Sequence, residues 1–178
     1  FSKWYNEIHN TKDEAIAIES VCGTGKTLCL PIILLCKSLK EKTLPFLIIT
    51  QAGPKIVESK EVFFKKIYSK YLTIVSDPNE LFNMYNEYDK TKENSKMVLA
   101  VLTPHNLLPL IQQLKDNPIF FQSTRFIIDE VHQRPIFLDV LVANLALLND
   151  QNIFRFPLNL ILTSATISPQ MLDPFKEK

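Results

Sequence analysis

Five apolar stretches are spaced along the chain, and almost every position within them is hydrophobic. They comprise residues 15–21, 45–50, 96–103, 125–129 and 159–163. A strand with one solvated face alternates apolar and polar residues, whereas near-continuous apolar runs are typical of parallel strands that are covered on both faces. The pattern therefore predicts a mostly parallel sheet buried between two layers, with Leu72–Val75 as a sixth and weaker strand.

Segments with helical spacing of apolar residues lie between most of these strands, at residues 26–39, 55–68, 104–114 and 136–148. Thr103 followed by Pro104 fits an N-cap with proline at the first helical position. Residues 76–95 are polar and charged, which predicts an exposed excursion with a short helix near 79–88, and residues 1–9 predict a small amphipathic helix. Alternating strands and helices predict a doubly wound α/β fold with helices on both faces.

Composition narrows the classes of protein that remain. A length of 178 residues fits one domain spanning 1–178, and a net charge of +1 means that any polyanion must be bound by local placement of lysines. No apolar run approaches the roughly 18 residues that span a bilayer, so no membrane partner is predicted. The chain begins with Phe1, so we expect it to be an excerpt of a longer intracellular protein, nuclear or cytoplasmic.

Small or polar residues end each strong strand, and the carboxyl ends of parallel strands meet at one edge of a sheet. Ligands of open parallel sheets bind at that edge. The endings are Ser20 and the glycine loop after it, Thr50 with Gln51, Thr103, Asp129 with Glu130, and Thr163 with Ser164. The sequence therefore predicts a single ligand site that is shared by five strands.

The loop after the first strand reads CGTGKT and holds two of the only three glycines in the chain. Glycine lets a ligand approach the backbone closely, and a strand–loop–helix context is the one that a phosphate-binding loop requires. Backbone N–H groups would cradle the phosphates, Lys26 would reach the β and γ phosphates, and the Thr27 hydroxyl would bind Mg²⁺. The predicted ATP-binding residues are Ser20, which replaces a usual glycine, Gly23, Thr24, Gly25, Lys26 and Thr27.

The acidic pair Asp129-Glu130 follows a buried strand, and adjacent carboxylates are useful there only if each has its own partner. Asp129 would hold Mg²⁺ together with Thr27, usually through water. Glu130 would orient and deprotonate the attacking water, so Glu130 and Lys26 are the candidate catalytic residues. Ser164-Ala165-Thr166 ends the last strand, and its interest lies in its position on the same edge.

Five segments in order resemble the motifs of superfamily 2 helicases, most closely the first RecA-like domain of the DExH/DEAH group of RNA helicases. CGTGKTLCLP resembles motif I, ITQAGPK motif Ia, VLTPHNLL motif Ib, DEVHQRP motif II and LTSATIS motif III. The resemblance spans nearly the whole chain. It implies a P-loop NTPase of RecA-like fold that uses ATP or another NTP with Mg²⁺.

The resemblance also implies roles that the residues alone leave open. His132, Ser164 and Thr166 would couple nucleotide state to the position of a second RecA-like domain in cis, which supplies arginines to the γ-phosphate and has no counterpart within these 178 residues. The RNA-binding residues would be Thr50, Gln51, Lys55 and Thr103, although N-capping and strand termination explain some of them equally well. Motif Ia departs from the group, because Gly53 and Pro54 stand where paired arginines are usual.

The leading hypothesis is therefore the ATP-binding domain of an NTP-dependent RNA helicase that couples hydrolysis to unwinding or remodelling of RNA. The alternative is a catalytically weak RNA-binding or scaffold module that has kept the fold, which the altered motif Ia favours and the intact motifs I and II oppose. A P-loop kinase or transporter ATPase would explain motif I but not DEVH followed by SAT.

Overall fold

A computed structural model of the protein describes residues 15–19, 26–41, 44–91, 96–133, 135–150 and 159–166. Within these ranges the strands are β1 (Ala15–Glu19), β2 (Phe46–Thr50), β3 (Leu72–Val75), β4 (Met97–Leu102), β5 (Thr124–Ile128) and β6 (Asn159–Ser164). The helices are α1 (Lys26–Glu41), α2 (Pro54–Tyr68), α3 (Pro78–Thr91), α4 (Pro104–Leu114), α5 (Pro118–Gln122) and α6 (Ile136–Asp150), with a 3₁₀ turn at Val131–Gln133.

The six strands form one sheet in the order β1-β6-β5-β2-β4-β3, and every neighbouring pair is parallel. All six predicted strands are present, including the weaker one at Leu72–Val75, which is an edge strand beside β4. Parallel strands need crossover connections, and the helices provide them. The predicted doubly wound α/β sheet is confirmed.

Both faces of the sheet are covered. Helices α1 and α2 pack on one face through residues such as Leu34 and Phe64, whereas α3 to α6 pack on the other. Strand β2 illustrates the consequence, because Phe46 and Ile48 belong to one core and Leu47 and Ile49 to the other, with none more than 2% exposed. Burial on both sides is the physical reason why the strands are apolar at nearly every position.

The polar segment after β3 is not the exposed excursion that its composition predicts. Its first part is the 14-residue helix α3, and Leu81 and Tyr85 of that helix are fully buried against the sheet. The Tyr85 hydroxyl donates a hydrogen bond of 2.7 Å to Asn117 Oδ1. Apolar positions four residues apart were enough to bury one face, and the abundant charges occupy the other.

Helix α5 was not predicted, because five residues are too few to show a helical period. Asn117 caps it by accepting hydrogen bonds from the backbone N–H groups of Ile119 and Phe120. The Thr103 cap of α4 is confirmed, since Thr103 Oγ1 accepts from Asn106 N at 3.2 Å. The predicted helix at residues 1–9 lies outside the described residues.

Candidate nucleotide and nucleic-acid site

Three strand ends meet at the carboxyl edge of the sheet. Thr50 of β2 pairs with Ile128 of β5, and Ile128 pairs with Leu162 of β6. One position further along the chain, the same register sets Gln51, Asp129 and Thr163 side by side. Asp129 lies one residue beyond the strand that was predicted to contain it, because β5 ends at Ile128.

The Asp129 carboxylate is the centre of this edge and is only 5% exposed. Its Oδ2 accepts hydrogen bonds from Thr27 Oγ1 at 2.7 Å and from Gln51 Nε2 at 3.1 Å. Its Oδ1 accepts from Thr163 Oγ1 at 2.5 Å and from its neighbour's backbone N–H at 3.0 Å. All four contacts are donors, which matches an ionised carboxylate that only accepts hydrogen bonds.

Thr27 reaches Asp129 from the first turn of α1, although the two residues are 102 positions apart in sequence. This contact brings the end of the predicted phosphate-binding loop to the predicted metal-binding carboxylate. Lys26 is the first residue of α1, but its side chain is not among those described. The loop residues Ser20, Gly23, Thr24 and Gly25 lie outside the described part of the chain.

Glu130 adopts a left-handed backbone conformation with φ of 55°, which is uncommon for a residue with a side chain. Its Oε2 atom is buried and makes no hydrogen bond within the described structure, although it lies 3.1 Å from His132 Nδ1. The two atoms are near enough for an ion pair, but their angles do not satisfy a hydrogen bond. Backbone strain and a buried oxygen without a hydrogen bond are features that cluster at functional sites.

His132, Ser164 and Thr166 form a connected group, in which Thr166 takes part through its backbone rather than through its hydroxyl. His132 Nδ1 lies 3.1 Å from Ser164 Oγ, and Ser164 Oγ donates to the carbonyl of Thr166 at 2.6 Å. Because the serine hydrogen is used in that second bond, Ser164 Oγ accepts from the histidine. The network therefore assigns the ring proton to Nδ1.

The four predicted RNA-binding residues have different surroundings. Thr50 and Gln51 are 1% and 5% exposed, and both bond to Asp129, Thr50 by accepting from the Asp129 backbone N–H at 3.2 Å. These bonds position the carboxylate, which sequence reasoning did not foresee. Lys55 is exposed in the first turn of α2, and Thr103 caps α4. Thr163 lies at one of the strand ends that were predicted to form the site, but no role was assigned to it from the sequence.

Residues 1–156 match the family model ResIII, described as "Type III restriction enzyme, res subunit". The chain belongs to the ResIII family. The family match and the all-parallel sheet together confirm a helicase-type ATP-binding domain of RecA-like fold. They do not distinguish the DExH/DEAH subgroup from other helicases. No curated protein matches the sequence.

Solved helicase structures share the fold of this ResIII domain at low sequence identity. The DEAD-box helicase Mss116 bound to ssRNA and UDP-BeF gives a TM-score of 0.67 at 20% identity over 97% of this chain. Mss116p with a double deletion, bound to ssRNA and AMP-PNP, gives a TM-score of 0.63 at 18% identity over 94% of this chain. Helicase Lhr of Mycobacterium smegmatis, bound to ssDNA and AMP-PNP, gives a TM-score of 0.56 at 18% identity over 94% of this chain. This chain spans 37%, 35% and 22% of those chains, respectively.

The ResIII site has oxygen donors that suit Mg²⁺. Mg²⁺ is usually held by one or two protein oxygens, with waters and substrate phosphates as its other ligands. The Thr27 hydroxyl can donate its hydrogen to Asp129 and still offer a lone pair to the ion, and Asp129 would hold the ion through water. No described helix is long and apolar enough to cross a membrane.

Proposed function

We propose that this ResIII domain is the ATP-binding domain of an NTP-dependent RNA helicase of the DExH/DEAH type, which couples hydrolysis to unwinding or remodelling of RNA. The observation that carries the proposal is the hydrogen bond of 2.7 Å between Thr27 and Asp129 at the carboxyl edge of the sheet. It joins the helix after the GTGKT loop to the DEVH segment, as a shared site for a metal and phosphates requires.

In this proposal Ser20, Gly23, Thr24 and Gly25 surround the phosphates and Lys26 neutralises the β and γ oxygens. Thr27 and Asp129 would hold Mg²⁺, which when bound offsets the negative charge of the same oxygens. Gln51, Thr163 and Thr50 keep Asp129 in one orientation, because they bond to it from the ends of two strands, β2 and β6. A preorganised carboxylate needs little rearrangement when the nucleotide arrives.

Glu130 is the proposed general base. Its buried Oε2, which makes no hydrogen bond among the described residues, would take a proton from the attacking water as that water's oxygen bonds to the γ-phosphorus and the bond to the β-phosphate oxygen breaks. His132 lies beside the same carboxylate and beside Ser164. It can therefore pass a change at the γ-phosphate to the segment Ser164–Thr166, which supports the coupling role.

The choice of RNA rests on the resemblance of the five motifs to those of RNA helicases, among which motif Ia is the one that departs, and on two structural relatives that were solved with ssRNA. A third relative was solved with ssDNA, so both nucleic acids belong in the test. Lys55 and the N-terminal turn of α4 after Thr103 would contact backbone phosphates, where lysines and helix N-termini bind without reading sequence.

The decisive experiment measures nucleotide binding and hydrolysis in the full-length protein for Lys26→Ala, Glu130→Gln and the control Glu58→Gln, an exposed position of α2. We expect Lys26→Ala to lose most ATP affinity. We expect Glu130→Gln to bind ATP normally but to hydrolyse it about 10²- to 10⁴-fold more slowly, the usual contribution of a general base. Turnover within about threefold of wild type in Glu130→Gln, or equal ATP affinity in Lys26→Ala, would contradict the proposal.

A further inference from the structure

An apolar pocket of about 250 Å³ opens at the carboxyl edge of the sheet. Segments that follow three different strands, β2, β4 and β5, supply its walls. The main lining residues are Ala52, Pro54, Pro104, His105, Pro135 and Phe137. The pocket therefore lies on the same edge as the Asp129 site but shares no side chain with it.

An aromatic pair forms one wall of this pocket. The rings of His105 and Phe137 are 4.7 Å apart between centroids and meet at 74°, an edge-to-face arrangement. Both side chains are exposed, Phe137 to 45%, so a ring face remains accessible to a ligand. Three prolines, Pro54, Pro104 and Pro135, add rigid apolar surface to the lining. Such a slot fits a planar ring better than a flexible chain.

The charges in and around the pocket indicate which kind of molecule would carry a planar ring into it. Among the described residues that line the pocket there is no aspartate, glutamate, lysine or arginine, so these residues suit an uncharged group. At the rim, exposed Lys55 follows Pro54, and the N-terminal turn of α4 begins at Pro104. Both features favour an anion next to the pocket. An uncharged planar ring on an anionic backbone is a description of a nucleotide unit.

We propose that this pocket takes one unstacked base of a bound single-stranded nucleic acid. The inference rests on the proposed function and adds a contact to the base that backbone binding alone does not provide. Base–aromatic stacking tolerates any sequence, because every base has a π face. Half-buried Asn106 also lines the pocket, and its side-chain amide could bond to a base edge.

The test compares a short single-stranded RNA with a chain of the same length and charge that is abasic throughout, using the full-length protein. Phe137→Ala should reduce the affinity for the base-containing strand by roughly 5- to 150-fold, the range for loss of one stacked base, and leave the affinity for the abasic strand unchanged. Ile136→Ala is the matched control, since Ile136 is the neighbouring residue, is 73% exposed and does not line the pocket. It should change neither affinity.

Three outcomes separate the possibilities. If Phe137→Ala changes neither affinity, no base occupies the pocket and the inference is overturned. If Phe137→Ala lowers both affinities by the same factor, Phe137 does not act through a base and the inference also fails. If neither strand binds to the wild-type protein, the proposed function itself fails. Phe137→Tyr should preserve stacking and guards against a general loss of structure.

Discussion

At the scale of single residues, the Asp129 carboxylate depends on donors from separate strands and a helix, and each donor is itself buried or half-buried. A buried acceptor that loses its donor costs about 1–3 kcal/mol, more than a hydrogen bond gains on average. Removing one donor should therefore destabilise the fold as well as displace the carboxylate.

Thr163→Val tests this dependence, because valine keeps the shape of threonine but cannot donate to Asp129. We expect it to lower the free energy of unfolding by about 1–3 kcal/mol. The matched control is Thr124→Val at the opposite end of β5, where the Thr124 hydroxyl is buried and makes no hydrogen bond in the described structure. That change should be neutral or stabilising. Denaturant titration measures the free energy of unfolding of both variants. Equal losses of stability would contradict the role of the Thr163 hydrogen bond to Asp129.

Glu130 offers a test of stored strain. Its left-handed conformation costs roughly 1–2 kcal/mol for a residue with a side chain, and glycine avoids that cost while paying more entropy on folding. Glu130→Gly should therefore raise the free energy of unfolding by up to about 1 kcal/mol, whereas Glu130→Gln, which retains the strain, should not. Thermal unfolding of both variants measures this. A less stable Glu130→Gly would show that the side chain supports the fold rather than straining it.

The sequence predicted which residues lie at this edge but not which way each one faces. Thr27 and Asp129 were both assigned to a metal site from their motifs, and the structure places them in contact. The inward direction of Gln51 and Thr163 depends on the register of β2, β5 and β6, which is set by packing between residues far apart in sequence. No local pattern around either residue carries that information.

At the scale of elements, helix α3 is anchored by Tyr85, and its phenol provides a pH test. Burial, reinforced by the negative charge of Asp89 and opposed by the hydrogen bond to Asn117, raises the pKa of Tyr85 from 10.0 to about 12. The native state thus binds this proton more tightly than the unfolded chain. The resulting stability is complete below pH 10 and is lost as the pH rises through about 12.

Replacing the phenol should remove this dependence. Between pH 9 and 12, Tyr85→Phe should lose about 1–2 kcal/mol less stability than the wild-type protein, because one pKa unit corresponds to about 1.4 kcal/mol. Tyr71→Phe is the control, since Tyr71 is 60% exposed. Chemical denaturation at several pH values makes the comparison. A parallel decline in the wild type and Tyr85→Phe would mean that the Tyr85 proton is not held more tightly in the native state.

The sequence predicted a short helix near residues 79–88, and helix α3 is present there, but its burial against the sheet was not predicted. Its charged residues suggested exposure, but Leu81 and Tyr85 are one helical turn apart and belong to the core on one face of the sheet, where Tyr85 packs edge-to-face against Phe46 of β2. The strands were predictable because an apolar run of five or six residues, with side chains buried on both faces of a sheet, is typical of a parallel strand. Whether a polar helix buries one face depends on the elements that it packs against, and these are not visible in its own sequence.

At the scale of the whole molecule, the described part of the chain contains a single arginine, Arg125. It is the second residue of β5, at the opposite end of that strand from Asp129. An arginine that reaches the γ-phosphate accelerates related phosphoryl transfers by about 10³- to 10⁵-fold. We propose, from the resemblance to helicases, that a second RecA-like domain in cis supplies such an arginine.

The 178-residue chain alone should consequently be a poor ATPase that RNA hardly stimulates. Steady-state turnover of this chain, with and without single-stranded RNA, can be compared with that of the full-length protein, in which we expect rates at least about 10³-fold higher. A nucleotide-binding measurement on both is the control that separates slow chemistry from lost affinity. Equal turnover would make this domain self-sufficient and would argue against the two-domain proposal.

The order of strands has a consequence for how the protein is made. Within the described structure β1 pairs only with β6, Ala15 with Leu160, so during synthesis the first described strand must wait for the last described strand. At about 5–20 residues per second, that wait is roughly seven to thirty seconds. Until β6 has been made, β1 has no partner strand, and α1 with Thr27 near its start is connected to this unpaired strand. A nascent chain stopped before β6 therefore cannot yet assemble the site around Asp129, and during synthesis its apolar first strand is the segment most exposed to chaperones or to incorrect pairing.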